Sequence, residues 1–135
     1  MIRLAIIEDN AVYLKALQSY LRKVPDIQLV HSASNLQSLP VLIATMPDVV
    51  LMDINLGVDS GINGVQLIKK ELPDIAIFML TVFYDEKKLE QSIEAGASGY
   101  LLKKDSPKKI VEAIFGIYNK PPVNAPGTKT ISGNF

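Results

Sequence analysis

Two rhythms of apolar residues alternate along the chain. The first is a short apolar run that stops at a charged or polar residue. Examples are Ile2–Ile7 before Glu8 and Asp9, the weaker run Ile27–Ala33, Val49 to Met52 before Asp53, residues 75–80 before Thr81, and Tyr100, Leu101 and Leu102 before Lys103. Continuous runs of this length predict strands buried on both faces, each expected to meet solvent at its first charge. The second rhythm steps by three and four residues. It joins Leu14, Leu17, Leu21 and Val24; then Leu36, Leu39, Ile43 and Met46; then Val65, Ile68 and Leu72; then Leu89 and Ile93; and last Ile110, Ile114 and Tyr118, with Val111 and Phe115 alongside. That spacing predicts amphipathic helices with these residues turned inward.

Turn and cap residues separate the two rhythms. Asn10, Ser38, Asp85 and Ser106 stand where helix N-caps belong, and Pro40 and Pro107 then fall in first turns, where proline is tolerated. Pro25-Asp26, Pro47-Asp48 and Pro73-Asp74 close helices, and Ala95-Gly96-Ala97-Ser98-Gly99 breaks the fourth. Five strands alternating with five helices predict a (βα)5 α/β fold, a doubly wound five-stranded parallel sheet with helices on both faces. Residues 1–119 form this domain. From Pro121 onward, prolines and glycines fall among few large apolar residues, so residues 120–135 read as a linker or flexible tail.

Composition narrows the function. The 135 residues, 48% hydrophobic and 21% charged, suit one globular domain. A formal net charge of +0 offers no global field for nucleic acid or an anionic membrane. The absence of cysteine removes thiol catalysis and zinc–thiolate sites. The N-terminal apolar run is too short for a signal peptide or membrane span, which makes a cytoplasmic protein the expectation. Neither a Walker lysine motif nor a dinucleotide glycine fingerprint occurs.

The chemistry gathers at the strand ends, where open parallel sheets bind ligands. Glu8 and Asp9 follow the first strand, Asp53 ends the third, Thr81 the fourth and Lys103 the fifth. Three crowded carboxylates repel one another unless a cation joins them, and an all-oxygen donor set suits Mg²⁺. An aspartate can attack phosphorus to give an acyl phosphate, with an ammonium and a hydroxyl available to the phosphoryl oxygens. Taken singly, each residue has an ordinary reading. Asp53 can begin a turn, Asp9 or Asn10 can cap a helix, Thr81 suits a strand, Tyr100 fills core, and Lys103 is a solvated charge. His31, the only histidine, reads as structural or surface, and Lys87-Lys88 and Lys103-Lys104 as solvated faces.

Together these residues resemble the receiver domain of bacterial two-component response regulators, a CheY-like, flavodoxin-like fold with strand order 2-1-3-4-5. Glu8-Asp9 matches the family's acidic pair, and Asp53, in Leu51-Met52-Asp53-Ile54-Asn55-Leu56, matches its phosphoacceptor. Thr81, in Met79-Leu80-Thr81, matches the switch hydroxyl. In Gly96-Ala97-Ser98-Gly99-Tyr100-Leu101-Leu102-Lys103, Tyr100 matches the switch aromatic and Lys103 the lysine. The resemblance spans residues 1–118. It implies Mg²⁺ held by Glu8, Asp9, Asp53 and the backbone carbonyl of Asn55, a sensor histidine kinase as donor, and no enzyme activity beyond self-phosphorylation and slow autodephosphorylation. It also implies a switch in which Thr81 moves toward the phosphoryl group and Tyr100 fills the vacated space. Lys103-Lys104-Asp105-Ser106-Pro107 resembles the NarL/LuxR-type subfamily, in which the receiver precedes a helix-turn-helix DNA-binding domain. No such domain lies in these residues, so contact with DNA would be made through an output domain outside them. A homodimer formed on phosphorylation would use helices 1 and 5, or helix 4 with strand 5 and helix 5.

Three departures accompany the resemblance. Gly57 stands where the family usually has proline, Lys104 where it often has proline, and the loop after Asp53 is about three residues longer if Gly64 opens the third helix. Other readings of the same residues are a stand-alone receiver, a phosphate-independent interaction module, and an aspartate-nucleophile phosphatase. The phosphatase would need a carboxyl two residues after the nucleophile, where this chain has Asn55.

Overall fold

A computed structural model describes residues 1–118. The predicted tail, residues 120–135, lies outside the described residues. The chain forms β1 (Ile2–Ile7), α1 (Ala11–Leu21), β2 (Ile27–Ala33), a 3₁₀ turn (Leu36–Ser38), α2 (Leu39–Ala44), β3 (Val49–Asp53), β4 (Asn55–Leu56), β5 (Asp59–Ser60), α3 (Gly61–Glu71), β6 (Ala76–Thr81), α4 (Glu86–Ala95), β7 (Gly99–Leu102) and α5 (Pro107–Tyr118). The main sheet is parallel with order β2-β1-β3-β6-β7, and β4-β5 is a separate antiparallel pair. With that small pair set aside, the order is the expected 2-1-3-4-5.

Successive strand residues point to opposite faces, and this alternation divides the core into two layers. Ile2, Leu4, Ile6, Val49, Leu51, Phe78, Leu80 and Leu101 pack with Leu17 and Leu21 of α1 and Ile110 and Ile114 of α5. Ala5, Ile7, Val50, Met52, Ile77, Met79 and Tyr100 pack on the other face, with Leu42 of α2, Val65 and Ile68 of α3, and Leu89 of α4. Both faces of β3 are covered, which is why its sequence shows no alternation.

Local chemistry sets the helix starts. Asn10 Oδ1 accepts the Tyr13 N–H (2.9 Å), Asp85 Oδ1 the Lys88 N–H (3.1 Å), and Ser106 Oγ the Lys109 N–H (3.2 Å). Each satisfies a donor left open by the first helical turn. Ser38 precedes α2 without a side-chain cap bond.

Five details differ from the sequence reading, the first being that Tyr118 at the end of α5 is exposed and not turned inward. α2 is short. Leu36 lies in the preceding 3₁₀ turn, and Met46 lies beyond the helix with φ 52, because Pro47 disfavours the helical conformation in the residue before it. Leu42, not Met46, therefore enters the core. On α4, Ile93 is exposed and the inward face runs Leu89, Ser92, Ala95. Ser92 tolerates burial because its hydroxyl donates to the Lys88 carbonyl at 2.7 Å. α3 opens at Gly61, whereas Gly64 lies inside the helix against Met52 and Leu36, so the supposed lengthening of the loop after Asp53 does not hold. Finally, β3 does not meet solvent at its first charge, because Asp53 is only 2% exposed.

Residues 54–60 form the β4–β5 hairpin. At its turn Gly57 has φ 75, a conformation closed to proline. The glycine at the position where the family favours proline thus has a structural reason. Ser60 Oγ accepts the Ile62 N–H to cap α3.

Candidate functional site

The period of two that sorts the core also sorts the site. Glu8, Asp53 and Lys103 each lie two residues beyond a side chain of the α1/α5 layer, namely Ile6, Leu51 and Leu101. Thr81 lies two beyond Met79, in the opposite layer with Tyr100. The structure joins the first three directly. Lys103 Nζ donates to Glu8 Oε2 at 2.7 Å and to Asp53 Oδ2 at 3.3 Å. Glu8 is fully buried, and the Lys103 side chain is mostly so. The Lys103 backbone N–H donates to the Thr81 carbonyl at 2.7 Å, which ties the end of β7 to the end of β6.

Backbone donors fix the carboxylates. Glu8 Oε2 accepts the Asn10 N–H at 3.0 Å, and Asp53 Oδ1 accepts the Asn55 N–H at 3.0 Å. Gly61 approaches from below; a Cβ there would lie 2.0 Å from the Asp53 carbonyl oxygen, so the start of α3 closes against the end of β3 only because residue 61 has no side chain.

Carboxylate oxygens of Glu8, Asp9 and Asp53 lie within 4.8 Å of one another. Glu8 Oε1 is buried and finds no hydrogen-bond partner among the described residues. An orphaned buried oxygen in an oxygen-only cluster fits a hard divalent cation such as Mg²⁺. Burial raises the Asp53 carboxyl above its ordinary range, and Glu8 beside it adds to the rise. Asp9 is also raised, by partial burial and then by Asp53. Burial works to lower the Lys103 ammonium, but the hydrogen bond to Glu8 and the charges of Asp53 and Glu8 outweigh it, and the net direction is upward.

An open cleft above the cluster is lined by Asp9, Asp53, Asn55, Thr81, Phe83 and Lys103, among others. The Thr81 hydroxyl lies at this cleft and donates to the Phe83 carbonyl at 3.1 Å. Tyr100 is already buried, at 1% exposure, with the ring of Tyr84 edge-on to it at 6.1 Å. Glu8, Asp9, Asp53, Asn55, Thr81 and Lys103 are therefore gathered at one sheet edge, and Tyr100 lies behind Thr81 in the α4-facing layer. His31 is distant in kind as well as role, as its ring meets Ser38 Oγ at 3.2 Å on the far edge strand β2. Tyr13 escaped the sequence reading. Its ring centroid lies 5.2 Å from Lys103 Nζ. The signal available was its place one turn beyond Asp9, on the face of α1 that meets the strand ends.

A doubly wound parallel sheet with an acidic cluster and a lysine at its carboxyl edge defines a class, the signal-receiver fold. Residues 4–115 match the response regulator receiver domain family, and the chain belongs to it. It is 35% identical over 120 residues to the transcriptional regulatory protein LnrK of Bacillus subtilis (strain 168), covering 88% of this chain and 54% of that protein. It is 36% identical over 115 residues to the transcriptional regulatory protein LiaR of the same organism, covering 84% and 54%. Among solved structures, a LuxR-family two-component response regulator from Aurantimonas sp. SI85-9A1 superposes with TM-score 0.82 at 25% identity, covering 87% of this chain and 85% of that one. These likenesses agree with the NarL/LuxR-type character of the run from Lys103 to Pro107. The chain spans about half the length of the curated relatives it matches. Among the described residues no helix is long and apolar enough to cross a membrane.

Proposed function

We propose that Asp53 is the phosphoacceptor of this receiver domain. The observation that carries the reading is the contact of its buried carboxylate with Lys103 Nζ at 3.3 Å, inside the acidic cluster with Glu8 and Asp9. In the reaction an Asp53 carboxylate oxygen attacks the donor phosphorus. The bond from phosphorus to the leaving group breaks, and the leaving group departs with that electron pair. From a histidine kinase the leaving group is an imidazole nitrogen; from acetyl phosphate it is acetate. No proton is taken from Asp53, which is ionised when it reacts. Lys103 meets charge developing on the phosphoryl oxygens, and Thr81 at the cleft supplies a hydroxyl donor.

Glu8, Asp9, Asp53 and the Asn55 carbonyl would hold Mg²⁺, which when bound neutralises charge on the transferred group. A sensor histidine kinase is the natural donor. The domain comprises residues 1–119 followed by a linker, and its output is transcriptional, through a DNA-binding domain outside these residues, a reading supported by the transcriptional roles of its relatives. Switching proceeds through Thr81 and Tyr100. Because Tyr100 is already buried, the change expected on phosphorylation is in the Thr81 bond to Phe83, not an inward swing of the Tyr100 ring. A phosphatase would use a carboxyl two residues after the nucleophile as its general acid, and that position is Asn55.

The test is incubation with acetyl phosphate and Mg²⁺, followed by intact mass. The native chain gains one phosphoryl group that is labile to hydroxylamine, and D53N gains none. Equal, acid-stable labelling of D53N would overturn the assignment. Size analysis with beryllofluoride in place of the donor reads whether the loaded domain dimerises.

A further inference from the structure

The Lys103 ammonium is held by carboxylates on one side, Glu8 Oε2 at 2.7 Å and Asp53 Oδ2 at 3.3 Å. On another side lies the ring of Tyr13, its centroid 5.2 Å from Nζ, within the range of about 6 Å over which a cation is drawn to an aromatic face. Tyr13 is placed by the cap of α1, where its N–H donates to Asn10 Oδ1 at 2.9 Å. The tyrosine hydroxyl is buried and has no hydrogen-bond partner among the described residues, so the ring is what this side chain offers.

The geometry points to Tyr13 as a positioning residue for phosphoryl transfer, one that acts through Lys103, and this rests on the reading of Asp53 as acceptor. Transfer requires the ammonium to keep its charge near Asp53 and then shift toward the new phosphoryl oxygens. A hydrogen-bond acceptor at residue 13 would tie the ammonium in one place. An aliphatic side chain would leave it to water and to the freedom of a four-carbon stem. A ring face attracts the cation with weak directionality, so it covers the ammonium while allowing that short displacement. Of the other charged groups nearby, Asp9 belongs to the acidic cluster, and Asp105 is engaged by the Leu102 N–H and by Lys109.

The covalent step is unchanged. An Asp53 oxygen bonds to the phosphorus of acetyl phosphate and acetate leaves. Initial rates of this step, read by intact mass on the full chain with Mg²⁺, test the role. Y13F retains the rate within about twofold, because the ring face is kept. Y13L lowers the limiting rate constant of phosphorylation about tenfold, with little change in the acetyl phosphate concentration that gives half of it. The decisive series places phenylalanines carrying successive ring fluorines at position 13. Fluorine drains negative charge from the face while nearly preserving shape, so the rate falls stepwise with each substitution. A flat fluorine series, or a loss in Y13F as large as in Y13L, overturns the proposal even if Y13L folds poorly. A native chain that takes no phosphoryl group at all overturns the Asp53 reading instead, which separates the two failures.

Discussion

Lys103 is the residue on which the stability and the chemistry of the site meet. Its ammonium compensates two carboxylates that are themselves out of water. Removing one partner of a buried pair leaves a charge stranded, which costs about 3–5 kcal/mol. K103M should therefore lose about 3 kcal/mol of unfolding free energy in urea titrations. Adding D53N to it should recover part of that loss, since one of the stranded charges is then gone. A K103M loss that D53N leaves untouched would mean that Lys103 stabilises by packing its stem and not by its charge. The burial of Asp53 was not legible in the sequence. A carboxylate at the end of an apolar run reads as the point where a strand reaches water. Lys103, arriving from beyond β7 fifty residues later, supplies the positive charge that the covered carboxylate faces. The contact of Lys103 with Tyr13 was likewise invisible, because it depends on how α1 docks against the sheet.

At the scale of elements, most of the architecture could be read from period alone. β1, β2 and β3 occupy the expected residues, and the caps at Asn10, Asp85 and Ser106 act as their residue types require. The same alternation, carried past the strand ends, sets Glu8, Asp53 and Lys103 apart from Thr81 and Tyr100 only once the register between the strands is known. The hairpin of β4 and β5 could not be read. Two-residue strands have no period, and with glycines at both 61 and 64 the start of α3 was ambiguous. Backbone contact resolves it, and the glycines at 57 and 61 should respond differently to alanine. G61A forces a Cβ to 2.0 Å from the Asp53 carbonyl oxygen and should cost about 3 kcal/mol while slowing phosphorylation. G57A meets no atom within 4 Å and carries only the strain of φ 75, about 1 kcal/mol. Chemical denaturation of the two variants side by side checks the ranking.

For the whole molecule, the acidic cluster couples folding to pH and to cations. The carboxyls of Asp53 and Asp9 are both raised, so the folded chain holds their protons more tightly than the unfolded chain does. Their contribution to stability is present at low pH and lost as pH rises from the ordinary value of 3.8 through the raised range. Mg²⁺ at neutral pH should restore it. At one hundred times its dissociation constant, a ligand specific to the native state adds about 2.7 kcal/mol, seen as a rise in Tm. D53N should have the higher Tm without Mg²⁺ and the smaller response to it. An equal response in both chains would move the cation elsewhere. Whether the phosphoryl group resides on Asp53 is read by borohydride reduction of the acetyl-phosphate-treated chain followed by peptide sequencing in the mass spectrometer. An acyl phosphate is reduced to an alcohol that marks its carbon. The mark is expected at position 53 alone, and only when Mg²⁺ is present. A mark at Glu8 or Asp9 with position 53 unmodified, or phosphate retained on a histidine, serine or threonine, would contradict the assignment of Asp53.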